Sequence, residues 1–173
     1  MKKLLIALLL AACLVATVGC ANTDATPDGM QNVALEDAAY NLYVPESWVA
    51  NAYNVSGAKA TPEENAPNVI VTVHYPESAV TPDTYWSDYC VPEHTAVLPS
   101  FTLMEEGTAA TLGGKDAKSY KFSYTFGDTL YQCRQVVTVF DFKVYVLTYT
   151  AVSTAYDTYA ADVDSIVSSF TFK

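Results

Sequence analysis

The chain has 173 residues, 51% of them hydrophobic, with nine basic residues against nineteen acidic ones and a formal charge of −10. Nucleic-acid binding needs clustered Lys and Arg to neutralise phosphates, and a polybasic membrane contact needs the same, so this balance argues against both. The length suits one domain with a real core.

Residues 1–19 read as a bacterial export signal. Lys2 and Lys3 precede an apolar stretch, Leu4 to Val18, that is short for a membrane span. "TVGC" (17–20) resembles a lipobox, in which a small residue precedes a cysteine that takes a diacylglyceryl group before cleavage. Thr17 stands where Leu is preferred, and "LAAC" (10–13) matches better by letter. Cys13, however, is followed by more apolar sequence, whereas Cys20 is followed by the polar "ANTDATPDGMQN". The expected arrangement is therefore lipidation at Cys20, a flexible tether over 20–38 and a domain over 39–173. The protein would sit on the extracytoplasmic face of the cell membrane, held by its lipid. Cleavage before Cys20 leaves seven basic and nineteen acidic residues, a charge of −12. Solubility outside the cell is the plainer expectation from such a surface, which would also repel anionic wall polymers and attract cations or a basic partner.

"YNLYVPESW" (40–48) reads as a strand that ends at Pro45, and "AYNVSGAKA" (52–60) as a weaker one. "TPEENAP" (61–67) is a loop by composition, and "NVIVTVHYP" (68–76) is a strong strand. In "TPDTYWSDYC" (81–90), Thr81 can cap, Pro82 suits the first helical position and Asp83 favours the positive helix end. Pro92 should end or kink this helix.

"FTLMEE" and "TAATL" bracket Gly107 as an interrupted strand, and "GGKD" (113–116) is a turn. "KSYKFSYTF" (118–126) alternates, with Tyr120, Phe122, Tyr124 and Phe126 on one face. "GD" (127–128) and "DFK" (141–143) separate it from two further strands, 129–140 and 144–152. Those strands are apolar on both faces at their centres, so layers must cover both sides of the sheet. Thr154 and Asp157 have capping-box spacing. Tyr156, Tyr159, Val163, Ile166, Val167 and Phe170 then make one helical face. The expected fold is α+β: an α/β/α sandwich with a central, mostly antiparallel sheet of about six or seven strands and two main helices.

"YNLYVPESW", "TLGGKDAKSYKFSY" (111–124), "VYVLTYTA" (144–151) and "YDTYAADVDSIVSSF" (156–170) occur in the order in which the PsbP-like family carries similar segments. The chain resembles that family over roughly residues 40–173. The resemblance implies an α/β/α sandwich used for binding and scaffolding, as in the extrinsic PsbP subunit of photosystem II, a Ran-binding import factor and many bacterial lipoproteins. It implies no shared catalytic residues.

Candidate sites are few. Cys90 and Cys133 form an even pair in a disulfide-permissive compartment, so a bridge is one expectation and two buried thiols the other. His74 and His94, with Glu77 and Glu93, could converge on a divalent cation if the helix reverses the chain between them. Surface histidines are the plainer expectation. Glu63-Glu64, Glu105-Glu106, Asp162 and Asp164 follow no EF-hand pattern. The aromatic stripe of Tyr120 to Phe126 reads as core beneath a helix rather than as a stacking platform for sugar. There is no Gly-x-Ser-x-Gly elbow, Cys-x-x-Cys pair, phosphate loop or dinucleotide fingerprint. The leading expectation is a non-enzymatic lipoprotein that binds an unidentified surface protein or complex, without a cofactor. The alternative is a lipoprotein that binds a ligand or divalent metal.

Overall fold

The computed structural model describes residues 25–52 and 54–173. The leader, Cys13 and the lipidation candidate Cys20 lie outside them. The chain order is β1 (Met30–Asn32), β2 (Tyr40–Asn41), β3 (Tyr43–Pro45), β4 (Val49–Ala50), β5 (Gly57–Lys59) and β6 (Asn68–His74). A helical segment follows, made of α1 (Pro82–Tyr85), a π turn (Trp86–Cys90) and α2 (Val91–Val97). Next come β7 (Thr102–Leu112), β8 (Lys115–Phe126), β9 (Thr129–Phe140) and β10 (Lys143–Val152). A 3₁₀ turn (Tyr156–Tyr159), α3 (Ala160–Ser169) and β11 (Thr171–Phe172) complete the chain.

Seven strands form one antiparallel sheet in the order β4-β5-β6-β10-β9-β8-β7. Its C-terminal half is three hairpins closed by two-residue turns: Gly113-Gly114, Gly127-Asp128 and Asp141-Phe142. The alternation of strand side chains splits the core in two. On β10, Tyr145, Leu147 and Tyr149 face one way, and meet Val163, Ile166 and Phe170 from α3 and its C-cap. Val144 and Val146 face the other way, and meet Tyr85, Trp86 and Cys90. The sheet is thus covered on both sides, which is the α/β/α sandwich that its doubly apolar strands require.

Thr81 and Thr84 form a reciprocal cap, with Thr84 N donating to Thr81 Oγ1 at 3.1 Å and Thr81 N to Thr84 Oγ1 at 2.8 Å. Pro92 does not end the helix. In α geometry its ring would strike the carbonyl four residues back. The π turn widens the helix there, Val91 N–H reaches Trp86 O, and the helix continues to Val97. It stops at Leu98, which is extended (φ −103°, ψ 108°) ahead of Pro99. At the C-terminal helix, the box expected at Thr154 and Asp157 is not made. The chain enters through the 3₁₀ turn with no side-chain cap, yet buries the expected face.

The N-terminal region differs most. Residues 30–38, expected as the end of the tether, belong to the folded body: β1 pairs with β3, and Val33, Ala34 and Ala38 pack on the α3 side of the core. The strand expected over 40–48 is two short strands outside the main sheet, paired with β11 and β1. Asn32 Oδ1 accepts from Leu42 N at 3.2 Å and from Ala34 N at 3.1 Å, so a side chain takes a place that a continuous ladder would give to backbone. No helix among the described residues is long and apolar enough to cross a membrane.

Candidate binding site

The four candidate metal ligands do not converge. His74 ends β6, with Nε2 3.0 Å from Thr72 Oγ1 and its ring against Tyr85 at 5.6 Å. Burial lowers its pKa, and the nearby Glu93 carboxylate opposes that shift. His94 sits on α2 in an aromatic cage of Trp86, Phe101 and Phe122, with ring centroids 5.6, 5.6 and 4.8 Å away. Its Nε2 lies 3.1 Å from Gln135 Oε1, and Gln135 Nε2 donates to Thr148 Oγ1 at 3.1 Å. Glu77 lines a separate cavity at one end of the sheet. Among the described residues, no group of three or more His, Cys, Asp or Glu is placed to hold a metal ion. Two of the acidic candidates have other partners: Asp164 accepts from Arg134 at 2.6 Å, and Asp162 from Trp48 Nε1 at 3.2 Å.

Cys90 and Cys133 are both free, buried thiols rather than a bridge. Both lie in the helical-side core, and Cys133 Sγ is 3.3 Å from Thr150 Oγ1. Burial, reinforced by Glu93, pushes the Cys90 thiol up to about 12. Burial pushes Cys133 up to about 11 against the Thr150 hydrogen bond. Such thiols are inert at neutral pH.

The aromatic stripe on β8 divides. Tyr120 and Phe122 are core beneath the helical segment, as expected. Tyr124 is only partly covered, and Phe126 is 71% exposed. The reason is helix length: Pro99 turns the chain away, and Pro99 O accepts from Thr125 N at 2.9 Å where β7 has not yet begun. The sheet face beyond that point is left open as a cleft of about 420 Å³ lined by the end of α2, the 61–67 loop and the start of β6. Tyr124 and Tyr131, directly paired across β8 and β9, lie on its floor 5.3 Å apart and 12° from parallel.

The opposite end of the sheet carries a second aromatic feature. Phe142 is 90% exposed at the β9–β10 turn, and Tyr75 is 74% exposed just past β6. Lys143 Nζ lies 5.9 Å from the Tyr75 ring and 3.8 Å from Asp141 Oδ2. Asp141 and Phe142 have φ of 50° and 58°. A two-residue turn with both φ positive normally uses Asn-Gly or Gly-Gly. The chain does use Gly-Gly at the β7–β8 turn, but here it holds a bulky side chain in the left-handed region. Beside it is a cavity of about 580 Å³ whose lining includes Pro76, Glu77, Val80, Val139 and Phe142.

The two ends stand differently to the N-terminus. Gly29 O accepts from Glu46 N, and from Met30 the chain runs to Leu35–Ala38, which share a small cavity with Tyr75 and Lys143. The described chain therefore enters the body away from the Phe142 end.

No family model and no curated relative matches this chain. Solved structures do. LpqN of Mycobacterium tuberculosis, described as involved in cell envelope biogenesis, is 21% identical, with a TM-score of 0.58 over 83% of this chain and 90% of that one. Cyanobacterial PsbP (CyanoP) from Synechocystis sp. PCC 6803 is 17% identical, with a TM-score of 0.58 over 95% of this chain and 99% of its own. The Saccharomyces cerevisiae Ran-binding protein Mog1p is 8% identical, with a TM-score of 0.56 over 83% of this chain and 95% of that one. At these identities the likeness concerns the fold, and the fold of this chain is PsbP-like.

Proposed function

We propose that this protein is a lipid-anchored extracytoplasmic binding module that acts by docking a protein partner rather than by catalysis. The observation that carries the reading is Phe142: an almost fully exposed aromatic ring, held at a hairpin tip in a conformation better suited to glycine. Such a side chain gives little to the fold and much to a contact, since aromatic anchors dominate binding energy at interfaces. Tyr75 adds a second ring, and Glu77 and Asp141 give the rim an acidic character that suits a basic partner surface.

Placement supports the reading. From Cys20 to Pro27, where the turn closed by Met30 N and Pro27 O begins, is seven residues, a reach of about 24 Å at full extension. A body held that way, and entered away from the Phe142 end, points its aromatic tip outward. The envelope role named for LpqN fits an extracytoplasmic scaffold. The anchor rests on the "TVGC" segment.

Two measurements test this. A photo-crosslinking amino acid at position 142, in intact cells, should give a discrete adduct that the same group at Asp128, on the opposite hairpin tip, does not. Equal adducts at both positions, or none, would refute the docking end. Cys20→Ser should abolish acyl labelling and release the protein from membranes, and retention would refute the anchor.

A further inference from the structure

We propose that the cleft at the Phe126 end of the sheet is a carbohydrate site that takes a neutral pyranose oligosaccharide. This site is separate from the protein-docking end and goes beyond that reading. The cleft is about 420 Å³, within the range of small-ligand sites. Its floor is the near-parallel Tyr124–Tyr131 pair, continued along β8 by the exposed ring of Phe126. Phe126 offers an open π face with partial negative charge beside the half-buried tyrosine stack, and the C–H faces of pyranose rings carry the complementary positive edge.

The rim supplies the other half of sugar recognition. Asn65 and Asn68 stand on one side, and an amide both donates and accepts, as sugar hydroxyls do. Asn68 Nδ2 makes only a long 3.4 Å bond to Ala66 O. The Tyr124 and Tyr131 hydroxyls have no hydrogen-bond partner among the described residues. Burial pushes Tyr124 up to about 12, so its hydroxyl remains a donor as well as an acceptor. Lys59 Nζ donates to Glu64 O at 3.3 Å and fastens the rim loop.

Charge narrows the ligand. No basic side chain lines the cleft, and Glu64 does, which disfavours phosphorylated or otherwise anionic glycans. A purely apolar ligand would leave the rim amides unpaired. A proline-rich peptide also docks on aromatic grooves, but each proline in it lacks an N–H, so it offers fewer donors to the amide oxygens and Glu64 than a sugar's hydroxyls do.

The test uses the purified full chain in a zwitterionic detergent without a sugar headgroup, with chitotetraose, cellotetraose and maltotetraose as probes. Saturation-transfer NMR should show ring C–H protons of at least one tetraose receiving saturation, with calorimetry giving the affinity. Phe126→Ala and Asn65→Ala, both at exposed positions, should each weaken binding about tenfold while leaving the melting temperature in place. Phe142→Ala should leave sugar binding unchanged, which keeps this proposal distinct from the docking reading. No transfer with any of the three sugars would overturn the proposal. So would binding that ignores both cleft variants, or a proline-rich peptide that binds there when no sugar does.

Discussion

Trp86 and Tyr120 lie face to face, 4.0 Å between centroids and 6° from parallel, and the Tyr120 hydroxyl donates to Asp83 Oδ1 at 2.9 Å. One side chain comes from the π turn and the other from β8, so this pair joins the helical segment to the sheet. Trp86→Ala should destabilise the protein by about 3–5 kcal/mol in urea unfolding, the range for emptying a buried aromatic site. Tyr120→Phe keeps the stack and loses only the hydrogen bond, at about 1 kcal/mol. Equal losses for the two variants would show that packing is not the main link.

Gly107 makes room for that stack. A Cβ there would stand 2.8 Å from Tyr120 Cε1, at the place where β7 shifts register against β8. Gly107→Ala should therefore cost about 1–3 kcal/mol, the usual range for overpacking. Most of that cost should vanish in a Tyr120→Leu background. Purely additive effects in this double-mutant cycle would exclude the steric account.

Phe142→Gly should move stability and binding in opposite directions. A left-handed non-glycine residue costs roughly 1–2 kcal/mol, partly offset by the greater freedom of glycine in the unfolded chain. Differential scanning calorimetry should show unchanged or modestly raised stability. In-cell crosslinking from a neighbouring position such as Asp141 should fall. A loss of stability would mean that the exposed ring supports the fold after all.

The thiols of Cys90 and Cys133 predict the alkaline limit of the fold. Their native values, about 12 and 11, lie above the ordinary thiol value near 9, so the native state holds its protons longer than the unfolded state. That stabilisation is complete below about pH 8.5 and is lost as pH rises through 9 to 12. Stability should fall over that window, and Cys133→Ala should flatten the fall. Iodoacetamide at pH 8, read by peptide mass mapping, should label both cysteines only after unfolding. Labelling of the native protein would contradict their burial.

His94 should matter for packing and not for metal. His94→Ala leaves the buried Gln135 without its ring partner and should cost about 1–3 kcal/mol. Adding Ca²⁺, Mn²⁺ or Zn²⁺ after chelation should leave the wild-type melting temperature unchanged, because His74, His94, Glu77 and Glu93 are not gathered. A saturable rise of roughly 5–10 °C with one ion would contradict this.

What the sequence determined by itself is local and periodic. Alternation along β8 and the turn signals at 127–128 and 141–143 identified three long strands, and apolar residues on both faces of the last two required two covering layers. Thr81, Pro82 and the Tyr156–Phe170 spacing placed both helical layers, since caps and faces act over only a few residues. What tertiary structure decided depends on distant partners. Residues 30–38 look like a tether until β3 accepts β1, and Pro92 looks like a stop until the π turn gives its ring room. His74 and His94 look like joint ligands until the structure sets one against Thr72 and Tyr85 and the other in an aromatic cage. The β8 stripe shows the division most plainly. Its period specifies one face for Tyr120, Phe122, Tyr124 and Phe126, but only the length of the helical segment, ended by Pro99, settles which are core and which remain open to a ligand.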